Sequence, residues 1–138
     1  MRLLLNVFVL VLVTGLLVSC DNHQKEVKQL KDEVIGIHDE VMPLMGKLKE
    51  EQSRLMTSSG KMLLDDSVAN GAIAEEMNEV AKGLEDAYEG MFVWMRQYKV
   101  DFEGMTNEQV IEYLQEQKEK VTKVNDDITT ALEEAKSY

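Results

Sequence analysis

The sequence predicts an all-α protein: an antiparallel three-helix up-down-up bundle with coiled-coil-like heptad packing, set behind an N-terminal lipoprotein signal peptide. Three observations carry that expectation. Three separate stretches repeat apolar residues at alternating three- and four-residue spacing, which keeps one stripe of a helix against a partner helix. Two connections divide them, one marked by glycines 60 and 71 with serines 58, 59 and 67, the other running from Lys99 to Met105. An apolar run at the N-terminus ends in the only cysteine of the 138 residues.

That N-terminal run comes first. Arg2 supplies a positive start, Leu3 to Val18 is apolar except for Asn6, Thr14 and Gly15, and the small Ser19 precedes Cys20. Basic, apolar, small residue, cleavage point is the order of a secretory signal peptide. Leu17-Val18-Ser19-Cys20 matches the bacterial lipobox, in which the thiol takes a diacylglyceryl group and the freed amine can be acylated. Residues 1–19 are therefore expected to be cleaved, with Cys20 as the lipidation site and the lipid bilayer as its partner. Residues 20–26 then form a short tether, spanning roughly 20 Å if extended. An uncleaved membrane anchor competes with this reading, but the 16 residues from Leu3 to Val18 fall short of the roughly 20 that a spanning helix needs. One cysteine cannot close an internal disulfide, and a free thiol is a liability in an oxidising compartment. Anchoring accounts for it.

The charge narrows the partners. The formal net charge is −11, and loss of Arg2 with the signal makes it −12 on the remaining 119 residues. Such a domain is repelled by an anionic lipid surface and by nucleic acid, so neither is an expected docking partner for the folded part. Cationic partners or plain solubility are the remaining readings.

The bundle elements follow in order, over residues 27–138. The first stripe is Val27, Leu30, Val34, Ile37, Val41, Leu44 and Leu48, within a helix over about 24–57. Pro43 sits inside it, where it removes a hydrogen bond and crowds the carbonyl four residues back. The stripe nevertheless keeps its phase from Val41 to Leu44 to Leu48, which predicts a kinked continuous helix eased by Gly46, with a break near Met42 as the alternative. The second stripe is Ile73, Met77, Val80, Leu84, Ala87, Met91, Trp94 and Tyr98, in a helix over about 70–98. The third, over about 107–136, is Val110, Leu114, Gln117, Val121, Val124, Ile128, Ala131 and Ala135, with one polar member. Thr106-Asn107-Glu108-Gln109 fits a capping box at its start. Glu50–Arg54, Glu116–Lys120 and Glu119–Lys123 are spaced for ion pairs one turn apart. A long intermolecular coiled coil is the competing architecture; the glycine-bearing connections favour folding back.

The sequence offers little chemistry. His23 and His38 have no acidic partner at metal-ligand spacing, and no Cys-x-x-Cys-His is present to attach haem. Asp66 to Gly71 begins like a calcium loop, but Val68 and Met77 stand where carboxylates belong. Asp126 and Asp127 point about 100° apart on a helix, which rules them out as a dyad on their own. No phosphate loop or nucleophile elbow appears. The expectation is a non-enzyme with no cofactor and no metal. The one local oddity is "MFVWM", residues 91–95, apolar all round the helix. Tyr88, Phe92, Val93 and Trp94 are its candidate partner-binding patch, since aromatic residues and methionine are enriched where partners bind. The competing reading is a middle helix that touches both neighbours and buries a wider face.

The lipobox, "DEVIGIHDEVMPLMGKL" (32–48), "MFVWMRQY" (91–98) and "YLQEQKEKVTKVNDDITTAL" (113–132) together resemble a group of small uncharacterised bacterial envelope lipoproteins. That group is often catalogued as "viral A-type inclusion protein", a label that reflects helical, Glu/Lys-rich composition and implies no viral role. The resemblance covers most of the mature chain and transfers no activity or site. It implies a lipid-anchored helical interaction or accessory module, with a protein partner or self-association. A structural lipoprotein that self-associates or links membrane to cell wall is the alternative, weakened because Lys136 is followed by Ser137 and Tyr138. Small-ligand or haem binding within the bundle is a third, which absorbance near the Soret region would test. Asp21 after the lipidated cysteine points to inner-membrane retention under the enteric sorting rule, whereas the resemblance favours the outer membrane.

Overall fold

The structure, a computed structural model, describes the backbone of residues 2–138 and the side chains of residues 22–138. It is all-helical, with no strand among the described residues. Helix α1 (Arg2–Val41) passes through a 3-10 turn (Met42–Leu44) into α2 (Met45–Asp65); α3 (Ser67–Gln97) and α4 (Asn107–Glu134) follow, and a 3-10 turn (Ala135–Ser137) closes the chain. The first two helices and the turn between them make one long arm. This arm, α3 and α4 pack against one another: α1 lies chiefly on α4, α2 on α3, and α3 on α4.

Pro43 sets the join in the arm. It sits in the first turn of the 3-10 segment, where its missing N–H costs least, and the flanking backbone never leaves the right-handed helical region. Val41 is at φ −101°, ψ −16°, and Met45 is already at φ −58°, ψ −41°. The heptad stripe crosses unbroken, with Val34, Val41, Leu48 and Leu55 all fully buried. The 3-10 turn thus lies between the two expectations: the α-helix stops at Val41, but its buried stripe does not.

Three sequence expectations need correction. The first concerns the connection across residues 58–69, which is helical almost throughout; Asp66 alone separates α2 from α3. Its carboxylate Oδ1 accepts from the amides of Val68 and Ala69 at 3.0 and 2.9 Å, capping α3. Asn70 Nδ2 donates to the Met62 carbonyl at 2.9 Å, satisfying the end of α2. Burial of Leu55, Ser59, Ala74 and Met77 overrides the weak helix propensity of the glycines and serines. The tether is the second: residues 22–26 are already helical, not extended. Last, α3 buries Ala74, whereas Ile73 is 46% exposed.

The second connection is a built turn. Met105 N–H bonds the Phe102 carbonyl at 3.0 Å, and Gly104 between them takes φ +81°. Beyond it the capping box of α4 is present in full. Gln109 N–H bonds Thr106 Oγ1 at 3.3 Å, and Thr106 N–H bonds Gln109 Oε1 at 2.9 Å. α4 has no basic residue in its last turn; instead Arg54 of α2 donates to the Ala135 carbonyl at 3.0 Å. That places a cation at the negative end of the helix.

Candidate functional site

Helix α3 rotates about 100° per residue, so Phe92, Val93 and Trp94 face three directions. Trp94 is 5% exposed and belongs to the core. Its ring lies 5.6 Å from His38 of α1 and stacks on Tyr98 at 5.1 Å. From Tyr98 the contacts continue to Tyr113 of α4 at 6.3 Å, and from Tyr113 to Phe102 at 5.9 Å, edge-on. Lys31 Nζ sits 5.8 Å above Phe102, and Tyr113 OH accepts from the Lys99 amide at 2.6 Å. This ladder joins α1, α3, the second connection and α4 at one end of the bundle.

Tyr88 and Phe92 form a separate pair, centroids 5.0 Å apart, half-buried and packed against the core. Lys49 of α2 holds its ammonium 5.1 Å above the Tyr88 ring, so this pair sits where α2 meets α3. Val93, at 41% exposed, points away from both. The four candidate residues therefore make one buried ring, one half-buried pair and one isolated surface valine. They do not make a single surface. Cys20, the lipidation candidate, lies outside the residues whose side chains are described.

The bundle interior leaves polar side-chain atoms without a protein partner. Trp94 Nε1, Tyr98 OH and Gln117 Oε1 are buried and unpaired, although buried polar groups are nearly always hydrogen-bonded. Burial, with Tyr113 adding to it, pushes the Tyr98 hydroxyl pKa up. The third stripe's polar member, Gln117, therefore sits inside the core at a heptad position.

No family model, curated protein or solved structure matches this chain. What the arrangement can do must be read from its own groups. His38 Nδ1 lies 2.8 Å from Asp39 Oδ1, and His23 Nδ1 lies 3.2 Å from Glu108 Oε1. Among the described residues no group of three or more His, Cys, Asp or Glu side chains is placed to hold a metal ion. Asp66, the first position of the incomplete calcium loop, spends its carboxylate on the helix cap. Asp127 pairs with Lys123 at 2.5 Å, so the expected Glu119–Lys123 pair is replaced by one further along. Glu116–Lys120 is present at 2.6 Å, and Arg54 pairs with Glu51, not Glu50, at 2.6 Å. Among the described residues no helix is long and apolar enough to cross a membrane.

One surface was missed by pattern reading. Around the junction of α2 and α3 at Asp66, Leu64 and Val68 are 89% and 93% exposed, and Leu63, Ile73 and Met56 are exposed nearby. The available signal was the Leu63-Leu64 pair beside Asp65-Asp66, where Leu64 falls off any heptad stripe.

Proposed function

We propose that this chain is a lipid-anchored protein of the bacterial envelope that acts as a non-catalytic helical interaction or accessory module. The observation that carries this reading is Leu17-Val18-Ser19-Cys20 closing an apolar run that begins after Arg2. Acyl chains on Cys20 would hold it at the bilayer, and the likeness to small envelope lipoproteins favours the outer membrane. The packed helices support a scaffold role, since most of their buried side chains serve packing.

We further propose that the helices run up, down and up. Partner positions support this. Glu33 meets Lys118 and Glu40 meets Asn125, so positions on α1 and α4 climb together. Ser59 meets Asn78 and Met62 meets Asn70, so positions on α2 and α3 run opposite. With α1 and α2 in line, residues 22–65 span about 65 Å at 1.5 Å per residue. The hairpin end then stands far from the acylated cysteine.

Mass spectrometry of the protein extracted from membranes tests the anchor. The expected species begins at Cys20 and carries acyl chains, and Cys20→Ala leaves the chain unprocessed. A wild-type protein that keeps residues 1–19 would overturn the reading. The second reading, a structural lipoprotein that self-associates, draws support from the exposed apolar hairpin end. Covalent attachment to the wall, seen as protein released from detergent-insoluble wall only by muramidase, would favour its membrane-to-wall form.

A further inference from the structure

The third helix stops short of the hairpin. Arg54 bonded to the Ala135 carbonyl and Tyr138 OH bonded to Glu76 at 2.9 Å hold the end of α4 level with those two residues. Past that level α2 continues to Asp65, and α3 returns from Ser67. The apolar residues at this end, Leu64 and Val68 above all, therefore face outward on a two-helix segment. Exposed aliphatic side chains grouped in this way mark a contact surface.

Charge decides which occupant fits. Residues 56–74 contain only three charged side chains, Lys61, Asp65 and Asp66, and so carry −1 of the chain's −11. That is a small share of the acidic excess, so two copies of this stretch repel each other only weakly. Lys61 and Asp65 have no ion-pair partner among the described residues, although they stand one turn apart. A two-fold contact brings the same patch of each copy together, so the Lys61 of one copy can face the Asp65 and Asp66 of the other. A lipid surface fits poorly, because a membrane-inserting tip carries a basic rim and this one carries two aspartates.

We infer that the end of the α2–α3 hairpin is a self-association surface, on which a second copy of this chain docks by an isologous contact centred on Leu64 and Val68. The inference rests on the second reading, self-association, and deepens it by naming the surface; it does not depend on lipid at Cys20. Sedimentation of the full chain in mild detergent tests it over a range of protein concentration, with the wild type beside L64E/V68E, V93E and C20S. The wild type is expected to pass from monomer to dimer as concentration rises. L64E/V68E should weaken that dimer by at least about tenfold, because each introduced carboxylate would be buried against another. V93E and C20S should dimerise as the wild type does, with the same far-UV circular dichroism in all four. A wild type that stays monomeric overturns the inference, as does a dimer that survives L64E/V68E. Loss of the dimer in V93E would show a general charge effect, and loss in C20S an assembly driven by the thiol or its lipid; either also overturns it. Processing at Cys20 is read separately by mass spectrometry, so failure of the anchor and failure of this contact are distinguishable.

Discussion

Gly104 and Gly83 are both free of neighbours, yet alanine should act on them with opposite sign. A Cβ at either position meets nothing within 4 Å, so only backbone conformation decides. Gly104 holds φ +81° in the turn closed by Met105 and Phe102, a region that L side chains enter at a cost of roughly 1 kcal/mol. Gly83 lies inside α3, where glycine is about 1 kcal/mol worse than alanine. Gly104→Ala should lower the unfolding free energy by about that amount and Gly83→Ala should raise it, both read from denaturant midpoints. Gln117 gives a second case. Its Oε1 is buried and unpaired at a position where the neighbouring stripe members Leu114 and Val121 are fully buried. Gln117→Leu should therefore stabilise by about 1 kcal/mol through removal of that desolvation cost. A loss of stability in the thermal melt would mean the amide is hydrogen-bonded after all. Tyr88 and Phe92 reach the core, so alanine at either should cost roughly 1–2 kcal/mol in the same melt.

At the scale of elements, the Glu33–Lys118 pair at 2.7 Å ties α1 to α4. The Lys118 hydrogen bond, with one from Gln29, holds the Glu33 carboxyl below the usual carboxylate range. The folded state therefore binds that proton more weakly than the unfolded chain does. The pair's contribution is present above the ordinary glutamate value, about 4.3, and is lost as pH falls below it. Glu33→Gln should lower the melting temperature slightly at pH 7, with the difference from wild type closing as pH falls through the lowered Glu33 value; a gap that persists in acid would mean packing rather than charge. The heptad stripes were readable because burial follows spacing: Val34, Val41 and Leu48, and likewise Leu114, Val121 and Ile128, are fully buried. In α2 the stripe was not followed beyond Leu48, because polar residues occupy its next positions. Gln52 and Ser59 are buried in α2, Ser59 Oγ lying 2.6 Å from Asn78 Oδ1, and their polarity concealed the stripe's extension to Leu55 and Met62. The candidate patch residues part company for a different reason. Composition marked "MFVWM" as unusual, but only the partners on α1, α2 and α4 decide which of its faces is buried.

Across the whole molecule, the three packed helices do not share cover equally. The stretch of α3 from Ala81 to Trp94 buries Ala81, Leu84, Ala87, Met91 and Trp94 between the arm and α4. The hairpin end has only α2 and α3, with Met62 half-buried and Leu64 and Val68 in solvent. Helices of this length draw most of their stability from tertiary packing, so the less covered end should open on its own before the bundle unfolds. Native-state hydrogen exchange reads such local opening directly. At protein concentrations where the chain is monomeric, amides of residues 60–72 should exchange through a low-energy opening, and those of 84–94 only through global unfolding. If both segments exchange at the same protected rate, the hairpin end is as cooperative as the core. Raising the protein concentration should then slow exchange at 60–72 and leave 84–94 unchanged, because a second copy that binds only the closed hairpin shifts that local equilibrium by mass action. Uniform slowing at both segments would place the contact on the three-helix part of the bundle instead.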